Sequence, residues 1–239
     1  MQTERRGPDP KFIQSTFSNI ADNYDRANSA ITFGMVHGWR KKMIEVSGAK
    51  LGSKVLDCAT GTGDLAIEFK KVVGPSGVVV GSDFCHEMLA KAPIKAQREN
   101  LDIVFEWADA TDLPYEDSRF DIVSIGYGIR NVSDPVKALK EMTRVCKAGG
   151  KVIILETGDS RNPILQPFIN LYFKWIVPRI GGLVGGNREA YEYLNQSSNQ
   201  FPSKEEFVSL MNQVPGLTQV QYLSLMGGAS FIYTGIKSH

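Results

Sequence analysis

The sequence predicts an α/β fold with a doubly wound, mostly parallel sheet, an N-terminal helical arm and an antiparallel final strand. Short apolar runs typical of buried strands alternate with segments whose apolar residues recur at helical spacing. A glycine-rich turn over Asp57–Leu65 joins the first of these strands to the next helix. Ligands of such sheets bind at the carboxyl ends of the strands, so we expect a ligand site at this turn.

The arm, residues 1–50, is predicted to be helical because apolar residues recur every three or four positions over 11–28 and 35–46. The first strand, 53–57, is a short apolar run that ends in an acid. The helix that follows, 65–73, again has apolar residues at helical spacing. The turn between them therefore has the strand-to-helix context of a nucleotide-binding loop.

The core, residues 51–156, continues this alternation and is predicted to bind the cofactor. Its later elements are a strand at 77–83, a helix at 86–98, strands at 102–107 and 120–125, a helix at 134–145 and a strand at 151–156. Residues 157–239 contain an aromatic helical region, one further helix and two final strands. We expect the 239 residues to form one domain with a parallel sheet covered on both faces.

The charges of the glycine-rich turn indicate the sign of its ligand. Gly61 and Gly63 let the backbone approach a ligand, and the turn satisfies the dinucleotide fingerprint G-x-G-x-x-G/A. Asp57 ends the strand and Asp64 begins the helix, where a pyrophosphate would otherwise bind. Acids there favour a cationic ligand instead, and S-adenosylmethionine carries both an ammonium and a sulfonium. A nicotinamide oxidoreductase is the alternative.

Two later acids extend the same predicted site. Asp83 ends the second strand, where a carboxylate can accept both ribose hydroxyls of a nucleoside. Asp109 follows the third strand beside the small residue Ala110. This pair can hold the edge of an adenine and leave room for its ring. Acids after three successive strands therefore favour a cationic nucleoside.

Composition argues against several other classes of function. Lys and Arg total 27 against 26 Asp and Glu, so no basic excess indicates a nucleic-acid partner. The cysteines, Cys58, Cys85 and Cys146, have neither paired spacing nor metal-ligand spacing, so we expect no metal site and a reducing cytoplasm. Residues 1–9 are polar and charged, unlike a secretory signal.

A second motif follows the fourth strand. The segment Phe120–Asn131 runs from a buried strand into Gly126, Tyr127 and Gly128, then an arginine beside an asparagine. With Asp57–Leu65 it resembles the quinone C-methyltransferases of menaquinone and ubiquinone biosynthesis. The glycine-rich turn alone indicates only a class I S-adenosylmethionine-dependent methyltransferase fold. The resemblance extends from Phe17 to the C-terminus and includes Phe17–Asp25, Gly34–Arg40, Glu141–Lys147 and Tyr191–Ser197.

The resemblance implies the reaction and the cofactor contacts. S-adenosylmethionine would donate a methyl group to a ring carbon of a polyprenyl hydroquinone, and we expect demethylmenaquinol as the substrate. Gly126 stands where some family members have serine, so only a backbone contact is expected from it. The residues assigned to the cofactor are Tyr24, Asp57, Gly61, Thr62, Gly63, Asp83, Asp109, Ala110 and Gly126.

Three residues of the second motif are assigned to catalysis. A ring carbon becomes a good nucleophile when the neighbouring phenol loses its proton. We expect Arg130 to stabilise the quinolate, because one positive charge ~4 Å away contributes about 4 kcal/mol at an effective dielectric of ~20. Asn131 and Tyr127 would orient the ring. Arg130 stays protonated, so a water or His37 would accept the proton. The alternative is that Arg130 simply pairs with a surface carboxylate.

The apolar segment 163–180 is interrupted by Pro, Asn, Lys and Arg, which argues against a membrane span. It would line the site of the prenyl tail, rest on a bilayer surface, or form a core or homodimer helix, with the glycine-rich segment 181–186 as a hinge. We expect a cytoplasmic protein, peripheral at the inner face of the membrane. The alternatives are a benzoquinol substrate, an O- or N-methyltransferase of small soluble molecules, and a non-catalytic quinone- or lipid-binding module.

Overall fold

A sheet of seven strands organises the residues that the computed structural model describes, 7–158 and 188–239. The strands are β1 (Lys54–Cys58), β2 (Val78–Asp83), β3 (Val104–Trp107), β4 (Phe120–Gly126), β5 (Cys146–Thr157), β6 (Leu217–Leu225) and β7 (Ser230–Lys237). Their order across the sheet is β3-β2-β1-β4-β5-β7-β6. Strands β1 to β5 pair in parallel, and β7 is antiparallel to both β5 and β6. The predicted mostly parallel sheet with an antiparallel final strand is therefore confirmed.

Helices cover this sheet and form the N-terminal arm. They are α1 (Pro10–Ile20), α2 (Tyr24–Ile31), α3 (Met35–Ser47), α4 (Asp64–Val73), α5 (His86–Leu89), α6 (Ala92–Arg98), α7 (Pro135–Val145), α8 (Arg188–Gln200) and α9 (Glu205–Met211). Neighbouring strand residues face opposite sides of a sheet. Leu56 and Val123 belong to the cluster that packs with α7 and α9, whereas Val55 and Ile122 belong to the cluster of α3 and α4.

Three predicted boundaries are corrected. The helix expected over 11–28 is divided at Asp22 and Asn23, polar residues that favour turns over helix interiors. The helix expected over 86–98 is divided into α5 and α6, because Pro93 lacks an N–H and its ring would clash with the carbonyl four residues before it in a continuous helix. Strand β5 begins at Cys146 rather than at 151, since Cys146 already pairs with Phe120 before a shift in register.

The carboxyl ends of β1, β2, β4 and β5 lie side by side, as the parallel register requires. Asp57 of β1 lies opposite Gly81 of β2 and Ser124 of β4, and Gly126 lies opposite Leu155 of β5. The arm packs near these ends through Phe17, Tyr24 and Ala21, which contact Cys85 and Met88 after β2. The fold therefore brings the arm and the two sequence motifs together.

The apolar segment 163–180 and the glycine-rich segment 181–186 lie outside the described residues. The predictions that this region binds the prenyl tail, contacts a membrane or forms a dimer stay predictions. Within residues 7–158 and 188–239, no helix is both long and apolar enough to cross a membrane.

Candidate active site

The glycine-rich turn after β1 has a backbone conformation that depends on its glycines. Gly61 and Gly63 have φ values of +58° and +85°, in the left-handed region that glycine tolerates best. A Cβ at Gly63 would also lie 2.8 Å from the Cβ of Ala92 in α6. The two glycines therefore permit a backbone conformation and a close contact with α6 that a residue with a side chain would disfavour.

Asp57 lies beneath this turn and is 1% exposed. Thr60 Oγ1 donates to its Oδ2 at 2.7 Å, and Ser124 Oγ donates to its Oδ1 at 2.8 Å. Burial raises the pKa of Asp57 to about 7 in spite of these two hydrogen bonds. A ligand cation beside Asp57 would favour its ionised form, so the residue is suited to binding an ammonium group.

Asp83 connects the turn after β1 to the turn after β2. Its Oδ2 accepts the Gly61 N–H and its Oδ1 accepts the Cys85 N–H, both at 2.7 Å. Burial raises the pKa of Asp83 to about 6. The Phe84 N–H also stabilises this carboxylate, and because its two oxygens together have about four lone pairs, one can still accept from a ligand hydroxyl.

A cavity extends from Asp83 along the ends of the strands. Asp109 and Ala110 line one end of it, and Tyr127 and Asn131 line the other. The N–H and hydroxyl of Thr111 both donate to Asp109 Oδ1, at 2.8 and 2.9 Å, which leaves Oδ2 able to accept from a ligand. Phe17, Phe84 and Met88 add apolar walls. We call this space the nucleoside cavity.

A smaller cavity adjoins it beside the glycine-rich turn. Its lining includes Arg40, Asp57, Tyr24 and Tyr127. A guanidinium and a carboxyl group in one cavity match the two ends of an amino-acid zwitterion. Sequence reasoning did not single out Arg40, although it belongs to the quoted motif Gly34–Arg40.

The predicted role of Asp64 as an attractor of cationic ligands is corrected. Arg40 Nη1 donates to Asp64 Oδ2 at 2.6 Å, and Lys95 Nζ pairs with Asp64 Oδ1. Burial acts to raise the pKa of Asp64, but these two cations hold it below its usual value. Because the charge of Asp64 is already compensated, the preference for a cationic ligand depends on Asp57.

The arm is fastened to the core by a network that we call the arm latch: Asp25, Thr62, Asp64 and Lys95. Thr62 Oγ1 donates to Asp25 Oδ1 at 2.6 Å, and Lys95 Nζ donates to Asp25 Oδ2 at 2.7 Å and to Thr62 Oγ1 at 3.1 Å. The Thr62 hydroxyl is thus engaged within the protein. A cofactor contact from Thr62 would have to use its backbone.

The loop after β4 turns sharply beside the same cavities. Tyr127 has a φ of +57°, and its N–H donates to Leu155 O at 2.7 Å. Its hydroxyl lies 3.3 Å from Ser230 Oγ, and burial raises its pKa above the usual value. A Cβ at Gly128 would lie 2.6 Å from the Cβ of Ala59, so this loop and the glycine-rich turn pack in direct contact.

Arg130, in a short 3₁₀ turn of this loop, forms a buried ion pair. Its Nη1 donates to Glu156 Oε1 and, at 3.1 Å, to Tyr127 O. Glu156 lies near the carboxyl end of β5 and is 1% exposed. Arg130 is therefore paired with a carboxylate in the absence of substrate, and its role in stabilising a quinolate stays a prediction. Sequence reasoning missed Glu156, although an acid at the end of a fifth strand continues the pattern of the first three.

Asn131 lies between the loop and helix α8. The hydroxyl of Tyr193 donates to Asn131 Oδ1 at 3.1 Å, and Asn131 lines the nucleoside cavity. A third cavity, lined by Arg130, Tyr193 and Phe201 among others, adjoins this region and is called here the α8 cavity. His37 is exposed on α3 and lines none of these cavities, so it does not reach the site as a proton acceptor.

Comparison with known proteins places this site in a family. Residues 4–237 match the ubiE/COQ5 methyltransferase family. The chain belongs to this family. It is 54% identical over 228 residues to the ubiquinone/menaquinone biosynthesis C-methyltransferase UbiE of Bdellovibrio bacteriovorus, covering 95% of this chain and 97% of that protein. It is 42% identical over 226 residues to a demethylmenaquinone methyltransferase of Staphylococcus aureus, covering 94% and 92%.

Solved structures confirm the class I methyltransferase fold of this family member. A methyltransferase of Thermotoga maritima superposes with a TM-score of 0.66 at 19% identity, covering 95% of this chain and 100% of that one. A methyltransferase of Aquifex aeolicus gives 0.61 at 19% identity, covering 96% and 99%. At such identities the likeness concerns the fold alone, so the assignment of the site depends on its geometry.

The raised pKa values of Asp57 and Asp83 predict a pH-dependent stability. Both exceed the ~3.9 of an unfolded Asp, so their contribution to the stability of the ligand-free protein is full below pH ~4 and is lost as pH rises through about 6 to 7. Asn does not ionise, so we expect the melting temperature of Asp57→Asn minus that of the wild type to increase as pH rises from 5 to 8. For a chain of this size, each kcal/mol corresponds to about 2–4 °C.

Calorimetry across this pH range measures the difference between variant and wild type. The matched control is Asp117→Asn, which alters a 73% exposed carboxylate. A wild-type-to-variant difference that stays constant for Asp57→Asn from pH 5 to 8 would contradict the interpretation.

The arm latch predicts a kinetic barrier to cofactor release. Lys95→Met removes the ammonium that holds both Asp25 and Asp64, while Asp64 keeps Arg40. We expect bound S-adenosylhomocysteine to dissociate about tenfold faster, equal to ~1.4 kcal/mol, with faster hydrogen exchange in α1 and α2. Stopped-flow release measures this, with Lys42→Met, which breaks an exposed pair with Glu45, as the control. Equal release rates in the two variants would rule out the latch.

Proposed function

We propose that this protein methylates a ring carbon of demethylmenaquinol to give menaquinol, with S-adenosylmethionine as the methyl donor. The observation that carries the proposal is the identity of 54% and 42%, over more than nine-tenths of the chain, to proteins named for C-methylation in quinone biosynthesis. The name of the first relative covers ubiquinone as well as menaquinone. A polyprenyl benzoquinol is therefore the second candidate substrate.

The residues of the nucleoside cavity and its neighbour fit S-adenosylmethionine. We assign the ammonium to Asp57 and the carboxylate to Arg40, which line one cavity. The ribose hydroxyls are assigned to Asp83, and the adenine edge to Asp109 Oδ2, with Ala110 leaving room for the ring. When bound, the cofactor supplies an electrophilic methyl group on its sulfonium.

The remaining predicted contacts are consistent with this orientation. Gly61 and Gly126 line both cavities and can contact the cofactor through the backbone, and Gly63 permits the turn that positions them. Tyr24 of the arm also lines both cavities and would cover the bound cofactor. The Thr62 N–H is left for the cofactor, because the Thr62 hydroxyl belongs to the arm latch.

The loop after β4 would bind the quinol beside the methyl group. Tyr127 and Asn131 line the end of the nucleoside cavity away from Asp109, and Asn131 is held by Tyr193. We assign these two residues to orienting the ring, and Arg130 to stabilising the quinolate. Arg130 can do this only if Glu156, its present partner, no longer compensates the Arg130 charge when the quinolate forms.

The proposal is tested with the purified protein, S-adenosylmethionine and chemically reduced demethylmenaquinone. We expect methylation on a ring carbon, identified by mass spectrometry and NMR. Asn131→Ala should lower kcat/KM about tenfold, since a lost hydrogen bond to substrate costs about 0.5–1.5 kcal/mol, while cofactor Kd stays within about twofold. Asn212→Ala, at an exposed residue after α9, is the control. Absence of carbon methylation would refute the proposal.

Extraction of quinones from a strain lacking this protein separates the two substrates. Accumulated demethylmenaquinone supports the first, and an accumulated demethylated precursor of ubiquinone supports the second.

We extend the proposal to a cytoplasmic enzyme in transient contact with a membrane surface, because a polyprenyl quinol partitions into lipid. Cosedimentation with liposomes that contain demethylmenaquinone should retain more protein than cosedimentation with liposomes that lack it. Equal retention near zero in both would contradict membrane contact.

A further inference from the structure

The buried Arg130–Glu156 pair leaves two of its polar atoms unpaired in the part of the chain that the structure describes. Glu156 Oε1 accepts from Arg130 Nη1, from the Thr157 N–H at 2.7 Å and from the Thr157 hydroxyl at 3.1 Å. Within the described residues, Glu156 Oε2 and Arg130 Nε have no hydrogen-bond partner. One carboxylate oxygen is therefore saturated, and the other is left with its full capacity to accept.

Packing alone does not account for this pair. Glu156 is 1% exposed, and its neighbours in β5, Ile154 and Leu155, are fully buried apolar residues. Replacing a buried ion pair by apolar side chains is often neutral or stabilising. A buried charged oxygen without a donor is costly as well. A partner that arrives with the substrate would remove this cost.

The pair lies where the proposed reaction would take place. Arg130 donates to Tyr127 O, and Tyr127 lines the nucleoside cavity, while Arg130 itself lines the α8 cavity. The β4 to β5 register places Gly126 opposite Leu155, directly before Glu156. Arg130 thus lines the α8 cavity and, through Tyr127 O, contacts the loop that lines the nucleoside cavity.

We propose that Glu156 accepts the proton of the quinol hydroxyl and that the Arg130 Nε–H donates a hydrogen bond to the same substrate oxygen. This inference rests on the proposed function. A phenolic hydroxyl has one donor and accepting lone pairs, which complement the free acceptor on Glu156 and the free donor on Arg130. Glu156 lines none of the three cavities, so the proposal requires that Arg130, which lines the α8 cavity, moves as the substrate binds and exposes both atoms to the ring.

The proton transfer leaves the charge of the buried site unchanged. Before it, Arg130 is positive, Glu156 negative and the quinol neutral; after it, Glu156 is neutral and the quinolate negative. Arg130 exchanges a carboxylate counter-ion for the quinolate, so no uncompensated charge is created in the interior. This resolves how Arg130 can stabilise the quinolate although Glu156 neutralises it at rest.

One reaction cycle converts the quinol and the methyl donor into a methylated quinol, a thioether and one proton. The hydroxyl O–H bond breaks and its proton goes to Glu156, while the oxygen electron pair activates the neighbouring ring carbon. That carbon forms a bond to the methyl group as the methyl–sulfur bond breaks, which leaves a neutral thioether. The ring carbon then loses its own proton to water, and Glu156 returns its proton to the oxygen. One proton is released in each turnover.

The first test compares Glu156→Gln with the matched control Glu141→Gln. Glu141 is a carboxylate that pairs with Arg144 at 2.7 Å and accepts the Leu113 N–H at 2.9 Å, outside the site. We expect Glu156→Gln to lower kcat about 100-fold or more, the usual contribution of a general base, with cofactor Kd within about twofold. The control should keep kcat within about threefold. Near-normal kcat in Glu156→Gln would overturn the proposal.

The second test separates proton transfer from a structural role. A nitro-substituted naphthol changes its absorbance on ionisation, so its spectrum reports where the proton lies when it is bound with S-adenosylhomocysteine. We expect ionised naphthol in the wild type and neutral naphthol in Glu156→Gln at the same pH, with partial ionisation in Glu156→Asp. Bound naphthol that ionises equally in all three proteins would show that Glu156 does not accept the proton.

The two tests also distinguish this inference from the proposed function. A wild-type protein that methylates no quinol refutes the proposed function, whatever the variants do. A wild-type protein that methylates demethylmenaquinol while Glu156→Gln keeps its rate and its naphthol spectrum refutes only the role of Glu156. Should Glu156→Gln fail to fold, Glu156→Asp keeps the charge that pairs with Arg130 and decides the point by the same spectrum.

Discussion

The carboxylate of Asp83 is the contact on which the geometry of the site depends. It accepts the N–H of Gly61 and the N–H of Cys85, both at 2.7 Å, and so joins the turn after β1 to the turn after β2. Hydrogen bonds to a carboxylate are among the stronger ones in proteins. These two turns line the nucleoside cavity. The Asp83 side chain therefore both shapes the cavity and presents acceptors to a ligand within it.

Charge compensation then determines which acids remain for ligands. Asp64 and Asp25 are neutralised by Lys95, with Arg40 as a second partner of Asp64, so they hold the arm against the core. Within residues 7–158 and 188–239, the hydrogen-bond donors to Asp57 are the hydroxyls of Thr60 and Ser124, and burial raises the pKa of Asp57 to about 7. Asp25 and Asp64 of the arm latch already form ion pairs with Lys95 or Arg40, whereas Asp57 forms none within the described residues. Asp57 is therefore the acid that a ligand cation would pair with.

Much of the fold and part of the site could be predicted from local pattern. Short apolar runs that alternate with helical segments, together with the glycine-rich turn, predicted the sheet, and acids at the ends of strands predicted the position of the cavity. The partners of Asp64 and Arg130 could not be predicted, because Arg40, Lys95 and Glu156 reach them from elements distant in sequence. An acid such as Asp64 has the same local signature whether it faces a ligand or an internal cation, and only tertiary structure distinguishes the two.

The Arg130–Glu156 pair shows why this distinction matters for the chemistry. Considered alone, Arg130 could stabilise a quinolate by its charge; paired with a buried carboxylate, it starts from neutrality. Loss of Arg130 would leave Glu156 charged and unpaired in the interior, which typically costs about 3–5 kcal/mol. Inactivity of such a variant could therefore reflect lost folding as readily as lost catalysis. Glu156→Gln likewise leaves Arg130 without its counter-ion, but Gln has nearly the same shape as Glu and the guanidinium lines the α8 cavity. The variant therefore perturbs the proton acceptor more selectively than a substitution of Arg130 does.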